Sequence, residues 1–118
     1  MKAYAFDRDG TLAWGSPPGP VTRAHLLMLK RLGYAIGGSG GQSPEEQYKN
    51  WRDNGVDPDF VVHKRGLHTL KGRFECVVHV GDSEDDRRSA ESAGFGYMKP
   101  EEFILSLQSS LSQHESSR

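Results

Sequence analysis

The chain has 118 residues, with 15 Lys and Arg against 16 Asp and Glu, which gives a formal net charge of −1. This length allows one domain with a real core and no second substantial module, and the balanced charge gives no strong signal for nucleic acid or for an anionic membrane. No apolar run approaches the length of a bilayer span, and the N-terminus lacks the features of a signal peptide. The single cysteine, Cys76, excludes a disulfide framework and a cysteine zinc cluster. We therefore expect a cytoplasmic protein.

Short apolar runs alternate with helical patterns along the chain. Capping residues mark the start of three helices, namely Thr22, Ser43 and Ser83, and Glu46 is expected to complete a capping box with Ser43. The segment 64–74 is predicted to be a connection with one or two helical turns. In chain order, the other predicted elements are a strand at 2–6, a helix at 21–33, a strand at 34–38, a helix at 43–55, strands at 59–63 and 76–80, a helix at 83–94, a strand at 95–98 and a helix from residue 100.

This alternation predicts an α/β protein, with a three-layer Rossmann-like fold around a mainly parallel central sheet of about five strands. One domain is expected over residues 1–112, followed by a frayed tail over residues 113–118. Right-handed crossovers place every strand-to-helix loop at one edge of such a sheet, and open α/β sheets bind their ligands there. The candidate site therefore consists of polar residues at the C-terminal ends of strands.

Acidic residues follow the first and the fourth of the five predicted strands. Asp7 and Asp9 come directly after the first, in AFDRDGTL, and Asp82 comes after the fourth, in VGDSEDD. If these two strands are neighbours, three carboxylates share a small volume, which is unfavourable unless a cation binds or a proton is shared. Such oxygen ligands suit a hard divalent cation, and Mg²⁺ is the usual one where phosphate and water complete the shell. Each aspartate taken alone is more typical of a turn or a helix cap.

Two segments together resemble the haloacid dehalogenase-like (HAD) hydrolase superfamily, most of whose members are Mg²⁺-dependent phosphatases. DRDGTL matches the DxDGT motif of that family, and GDSEDDRRSAESAG matches its GDSxxDxxxAxxAG motif at every fixed position. The motifs lie in the expected order, so that the resemblance spans most of residues 3–98. The short segments between the motifs resemble a capless member with no cap domain. Its open site suits a large phosphorylated substrate, or a small one enclosed by a homo-oligomer.

The resemblance implies a role for each acidic residue. Asp7 is expected to be the nucleophile that forms an aspartyl-phosphate intermediate, and also a Mg²⁺ ligand. Asp9 is expected to be the general acid and then the general base, with its backbone carbonyl facing the metal. Asp82 is expected to be the second carboxylate on Mg²⁺. Asp86 is expected to be a further metal-site acid, acting directly or through water, with Asp85 as the alternative.

The resemblance also implies groups that bind the substrate phosphate. Thr11 is expected to help fix the turn at the phosphate, and Ser39, after the second strand, to donate its hydroxyl. The GGSGGQ loop around Ser39 has glycines where family members more often have apolar residues. It is therefore either a cradle of backbone N–H groups that includes Gly40, or a flexible linker with an incidental serine. The stabilising lysine is expected to be Lys64, which leaves a strand end, with Lys71 as its rival.

The expected function is therefore Mg²⁺-dependent hydrolysis of phosphomonoesters. The main alternative is a regulatory domain that binds phosphate or Mg²⁺ with weak or no catalysis. The reason for this alternative is the unusual glycine-rich loop around Ser39. A receiver domain phosphorylated on aspartate is a further alternative, but the order of the motifs fits it poorly.

Several other residues are expected to be structural. The five histidines are predicted to be structural or incidental, with His63 the one nearest a substrate. Arg8 is predicted to be structural because strand alternation would direct it away from the aspartates on either side. Cys76 is predicted to be a small buried strand residue. Trp14 is predicted either to line the site or to pack on the protein.

Overall fold

The computed structural model describes residues 1–116, with the side chains of residues 1–112. In this part of the chain, five strands alternate with four α-helices and one 3₁₀ helix. In chain order these are β1 (Lys2–Phe6), α1 (Arg23–Arg31), β2 (Ala35–Gly38), α2 (Pro44–Asp53), β3 (Phe60–Val61), the 3₁₀ helix (Lys64–Leu70), β4 (Cys76–Val80), α3 (Glu84–Ala93), β5 (Gly96–Met98) and α4 (Pro100–Ser116).

The five strands lie parallel in one sheet, in the order β3-β2-β1-β4-β5. The C-terminal ends of the three central strands are level, because Phe6 pairs with Gly38 of β2 and with Val80 of β4. The chain builds the sheet outward from β1 to β3 and then returns to the other side of β1. Sheets of this kind bind ligands at the point where the strand order reverses. The predicted α/β fold with a parallel central sheet between helical layers is confirmed.

Two apolar clusters cover the two faces of the sheet. On one face, Tyr4 and Phe6 of β1 pack with large side chains of α1, α2 and α4, namely Leu26, Leu29, Trp51, Phe103 and Leu107. Alternate residues of a strand point to opposite faces, and on the other face the small Ala3 and Ala5 pack against the layer that contains the 3₁₀ helix and α3, through Leu67, Leu70 and Ala93. Asp7, which continues the series Ala3 and Ala5, therefore follows β1 on the side of the 3₁₀ helix and α3.

The three predicted N-caps are confirmed, with one change of detail. Ser83 begins α3 and forms a reciprocal capping box with Asp86. Ser43 caps α2 by accepting a hydrogen bond from the backbone N–H of Glu46. The predicted capping box also needs a bond from the Ser43 backbone N–H to the Glu46 carboxylate. In its place, that carboxylate accepts a hydrogen bond from Arg8 Nη1 at 3.1 Å.

Some predicted features differ from the structure. Cys76 is exposed, so the prediction of a buried residue is wrong: β4 begins there, and its first residue meets solvent. The third strand is shorter than predicted, with bounds Phe60–Val61. Helix α4 runs to Ser116, and the predicted frayed tail over 113–118 falls outside the described side chains, with its last two residues outside the described part of the chain.

The connections between strands carry helices and loops. Within residues 1–116, a loop and α1 connect β1 to β2, and α2 connects β2 to β3, as expected of a chain without a cap domain. Among the described residues, no helix combines the length and the apolar character needed to cross a bilayer.

Candidate functional site

Three carboxylates come together where β1 and β4 end. Asp7, Asp82 and Asp86 each place one oxygen within 4.8 Å of the others. The backbone N–H of Asp7 donates to the carbonyl of Val80 at 2.9 Å, so the pairing of β1 with β4 continues one residue into the site. Asp7 and Asp86 are buried, whereas Asp82 is exposed. The predicted meeting of Asp7 with Asp82 is confirmed, but the third carboxylate of the group is Asp86 and not Asp9, which was predicted to share this volume. Three carboxylates form an oxygen donor set of the kind that hard divalent cations prefer.

Asp86 is the most firmly held of the three acids. Its Oδ1 accepts hydrogen bonds from His79 Nε2 at 2.8 Å and from Lys64 Nζ at 2.9 Å. Its Oδ2 accepts from the hydroxyl of Ser83 at 2.8 Å and from the Ser83 backbone N–H at 3.2 Å. Burial alone would raise the pKa of Asp86, but the hydrogen bonds from His79 and Lys64 outweigh it and hold this pKa well below its ordinary value. Asp86 is therefore a carboxylate.

Asp7 has the opposite electrostatic balance. Burial and the negative charge of Asp86 raise the pKa of Asp7 to about 6. Lys64 Nζ lies 3.7 Å from Asp7 Oδ1 and opposes this rise only in part. Two neighbouring acids with pKa values displaced in opposite directions are typical of functional sites. A cation between them would favour the ionised form of both.

Lys64 is the lysine that the structure brings to the acids. It is the first residue of the 3₁₀ helix, and its Nζ contacts Asp86 closely, with Asp7 and Asp85 just beyond, at 3.7 and 3.8 Å. The Lys64 backbone N–H also donates to the carbonyl of Gly40, at 2.8 Å. Lys71, the rival candidate, lies instead beside Gly94, at the C-terminal end of α3. Asp85, the alternative to Asp86, is exposed and is not a member of the group of three carboxylates.

Asp9 lies outside the group of three carboxylates and is tied to Arg8. Its Oδ1 accepts hydrogen bonds from Arg8 Nε and from the backbone N–H of Ser16, both at 2.9 Å. Burial would raise the pKa of Asp9, but these two bonds outweigh it and lower this pKa. Arg8 Nη1 also donates to Glu46 and to Asn50 of α2, each at 3.1 Å. Arg8 therefore connects the turn after β1 to α2, in agreement with the structural role predicted for it. The predicted direction is wrong, because Arg8 does not point away from both aspartates but bonds to Asp9.

The glycine-rich loop after β2 is ordered by a buried glutamine that the sequence did not point to. Gln47 of α2 accepts from the Gly40 backbone N–H at 2.9 Å, and its Nε2 donates to the carbonyls of Gln42 and Val62, both at 2.9 Å. The Gly40 N–H, predicted to bind phosphate, is thus bonded within the protein. A methyl group at Gly40 would lie 3.2 Å from Asp7 Oδ1, so glycine here keeps the backbone close to that carboxylate.

Ser39 is fully buried, and its hydroxyl lies 2.9 Å from Nδ1 of His79. Its backbone N–H donates to the carbonyl of Phe6 at 2.9 Å, which places it level with Asp7. His79 therefore belongs to the site, although the sequence predicted only a structural or incidental role for it. The available signal was a single polar side chain, His79, inside the otherwise apolar run of β4.

Three further residues that the sequence singled out are Thr11, Trp14 and His63. Thr11 is fully buried, and its hydroxyl has no hydrogen-bond partner in the described part of the chain. Trp14 packs edge-on against Trp51, with ring centroids 5.6 Å apart, so of its two predicted roles the structure shows packing on the core. His63 caps the 3₁₀ helix by accepting from the backbone N–H of Arg65 at 3.1 Å.

A polar groove of about 410 Å³ lies between the 3₁₀ helix and α3, beside the carboxylates. Lys64 and Asp85 line its end nearest the site. Farther along the groove the lining includes two arginines and a histidine, Arg65, Arg88 and His68. The groove therefore provides a mainly cationic surface next to the acids.

Comparison with family models, with curated proteins and with solved structures finds no match for the chain.

Proposed function

We propose that this protein is a Mg²⁺-dependent phosphomonoester hydrolase of the HAD type, with Asp7 as its nucleophile. The observation that carries the proposal is the position of Asp7, a carboxylate at the end of the central strand, beside Asp82, Asp86 and the ammonium of Lys64. An anionic nucleophile can attack an anionic phosphate only where positive charge screens their repulsion. Lys64 is one source of that charge, and a cation among the carboxylates is the other.

The donor set fits Mg²⁺. Asp7 and Asp82 would hold the ion, and Asp86, whose two oxygens already accept four hydrogen bonds within the protein, would act through its charge or through water. When bound, Mg²⁺ would supply positive charge to the phosphate oxygens and keep Asp7 ionised. Carboxylates without nitrogen or sulfur ligands favour a hard ion such as Mg²⁺ over zinc.

In the first step, an oxygen of Asp7 attacks phosphorus and forms an aspartyl-phosphate, while the bond from phosphorus to the leaving oxygen breaks. Asp9 donates a proton to that leaving oxygen. In the structure Asp9 is held as an anion by Arg8. The negative charge of an incoming phosphate raises the pKa of a neighbouring carboxyl, so that Asp9 would take up a proton from solvent before it donates to the leaving oxygen.

In the second step, Asp9 accepts a proton from a water molecule as the water oxygen attacks phosphorus. The bond from phosphorus to the Asp7 oxygen then breaks, which releases inorganic phosphate and restores the Asp7 carboxylate. Lys64 balances the charge on the phosphate in both steps. The groove lined by Arg65, His68 and Arg88 favours a leaving group that carries negative charge or hydroxyl groups.

The test is hydrolysis of a generic aryl phosphate in the presence of Mg²⁺. We expect phosphate release that Asp7→Asn abolishes and that Asp57→Asn, at an exposed carboxylate that pairs with Arg52, leaves unchanged. An aryl leaving group needs little help from an acid, so Asp9→Asn should form the aspartyl-phosphate and hydrolyse it slowly. Mass spectrometry should then find a hydroxylamine-labile phosphoryl group on the peptide that contains Asp7. Turnover that survives in Asp7→Asn would refute the mechanism.

A second candidate function is a regulatory domain that binds Mg²⁺ or phosphate without turnover. The observation that favours it is that two predicted phosphate donors are already used: the Ser39 hydroxyl by His79, and the Gly40 N–H by Gln47. Binding of Mg²⁺ together with no phosphate release from a broad panel of phosphoesters would support this candidate over the enzyme.

A further inference from the structure

Three buried side chains form a hydrogen-bonded chain next to the carboxylates. Ser39 Oγ is 2.9 Å from His79 Nδ1, and His79 Nε2 is 2.8 Å from Asp86 Oδ1. Each of the three residues has 0% of its surface exposed. They come from the end of β2, from β4 and from the first turn of α3. The imidazole ring thus joins the three elements whose relative placement sets the geometry of the site.

The hydrogen positions in this chain follow from the chemistry of its members. Asp86 accepts from Lys64 and Ser83 as well and is an acceptor only, so Nε2 of His79 carries a hydrogen. Nδ1 faces the Ser39 hydroxyl, 2.9 Å away. In the tautomer that carries its hydrogen on Nε2, Nδ1 is an acceptor, and the Ser39 hydroxyl donates to it.

We propose that His79 is a positioning residue that binds the Ser39 hydroxyl hydrogen and fixes the Asp86 carboxylate, so that the Ser39 hydroxyl anchors the loop after β2 and does not bind the substrate phosphate. A serine hydroxyl has a single hydrogen, and the one on Ser39 is used. The part of this inference that concerns turnover rests on the proposed function, whereas the hydrogen-bonded chain itself does not.

The contacts of His79 differ from those of a histidine that only fills the core. Both ring nitrogens have partners, and the partners belong to two other elements. The bond to Asp86 goes to Oδ1, the oxygen that Lys64 also contacts, while Ser83 holds Oδ2. Without His79, the Asp86 carboxylate loses one of the donors that set its orientation toward Lys64. Partners of this kind typically contribute about 10-fold to 100-fold to metal affinity or activity.

Two substitutions of His79 separate the two bonds of the ring. His79→Gln places an amide N–H near the position of Nε2 and keeps a donor for Asp86, whereas His79→Asn places its amide near Nδ1 and keeps a partner for Ser39 only. We expect the Mg²⁺ dissociation constant, measured by calorimetry, and kcat to stay within about threefold of wild type in His79→Gln and to worsen about 10-fold or more in His79→Asn. Two folded variants with equal values in both measurements would overturn the proposal.

Ser39→Ala tests the role of the hydroxyl, with inorganic phosphate as the probe in the presence of Mg²⁺. We expect the dissociation constant of phosphate to change by less than about threefold, because the hydroxyl gives no bond to the ligand. A hydroxyl that donated to a charged phosphate would weaken binding by about 10-fold or more when removed. A loss of that size in a folded Ser39→Ala protein would overturn the proposal.

Nitrogen-15 spectra of the imidazole groups in the wild-type protein test the chain without reference to turnover. The His79 signals, identified by their loss in His79→Gln or by their response to Ser39→Ala, should show hydrogen on Nε2 and a hydrogen-bonded, unprotonated Nδ1. Hydrogen on Nδ1 would overturn the proposal even if the protein hydrolyses phosphoesters. The expected spectrum in a protein that hydrolyses none would leave the proposal standing and the proposed function refuted. These spectra also decide the question if the His79 variants fail to fold.

Discussion

Replacing Gly10 by alanine tests whether the place of Asp82 matters to cation binding. Gly10 has φ +76°, and a methyl group there would lie 2.0 Å from Asp82 Oδ2 and 2.5 Å from Asp82 Cγ. Contacts this short cannot persist, and the Asp82 carboxylate is the exposed end of a flexible side chain. We expect the carboxylate to rotate away from Asp7 and Asp86 while the fold is kept.

The size of the effect follows from Coulomb attraction. Moving a carboxylate from about 4 Å to about 7 Å from a divalent cation weakens their attraction by about 1 kcal/mol at the dielectric constant of water and by about 4 kcal/mol at an effective value of about 20. The smaller figure corresponds to about a fivefold loss of affinity. We therefore expect the Mg²⁺ dissociation constant of Gly10→Ala to rise at least about fivefold.

The matched control is Gly72→Ala. Gly72 has φ +87°, and a methyl group there would have no atom within 4 Å. Both variants place alanine in left-handed backbone, which costs about 1–2 kcal/mol of stability in each. Calorimetric titration with Mg²⁺, together with thermal unfolding, separates the shared loss of stability from the loss of affinity that only Gly10→Ala should show. Equal Mg²⁺ affinity in the two variants would refute the assignment of Asp82 to the cation site.

Three further predictions concern the acids and the loop. Mg²⁺ affinity is expected to fall about tenfold per pH unit below about pH 6. The pKa of Asp7 is raised to about 6, so that below this pH the carboxyl carries a proton that the cation must displace. A Mg²⁺ affinity that calorimetry finds independent of pH would contradict this. Asp86→Asn is expected to lower the free energy of unfolding by about 3 kcal/mol, because Lys64 loses a buried counter-charge. Asp85→Asn, at an exposed carboxylate, should change it by about 0.5 kcal/mol or less, and equal losses in urea denaturation would count against the pairing. Gln47→Leu is expected to speed hydrogen exchange of the Gly40 amide at least about fivefold, for a lost bond of about 1 kcal/mol, and unchanged exchange would contradict the role given to Gln47.

Local signals in the sequence were sufficient to predict most of the fold. The strand at 76–80 is a run of residues with strong β preference, and the bounds of β4 agree with it. Ser83 stands directly before a run of acidic residues, a local signal for the start of a helix, and it caps α3 as predicted. The meeting of Asp7 with Asp82 was also predictable, once parallel strands were inferred, because C-terminal strand ends share one edge.

The roles of His79 and Gln47 could not be predicted in the same way. His79 contacts Ser39 only because β4 and β2 both flank β1, with their C-terminal ends level. Neither the strand order nor the register can be predicted from the local spacing of residues. Gln47 lies on a helix whose polar residues are mostly solvated, and its burial depends on how α2 packs against the loop. Arg8 follows the end of β1, so strand alternation no longer determined its direction.

The strand order also determines when the site can form during synthesis on the ribosome. β1 is the central strand, yet its second neighbour, β4, begins only at Cys76. Until that segment emerges, β1 lacks one of its two neighbouring strands, and unpaired strand edges promote wrong pairing. Asp82 and Asp86 arrive together directly after β4. A cation held as proposed would therefore stabilise only a chain in which β4 and α3 are already present, and it would act on the assembled sheet rather than on its early pairing.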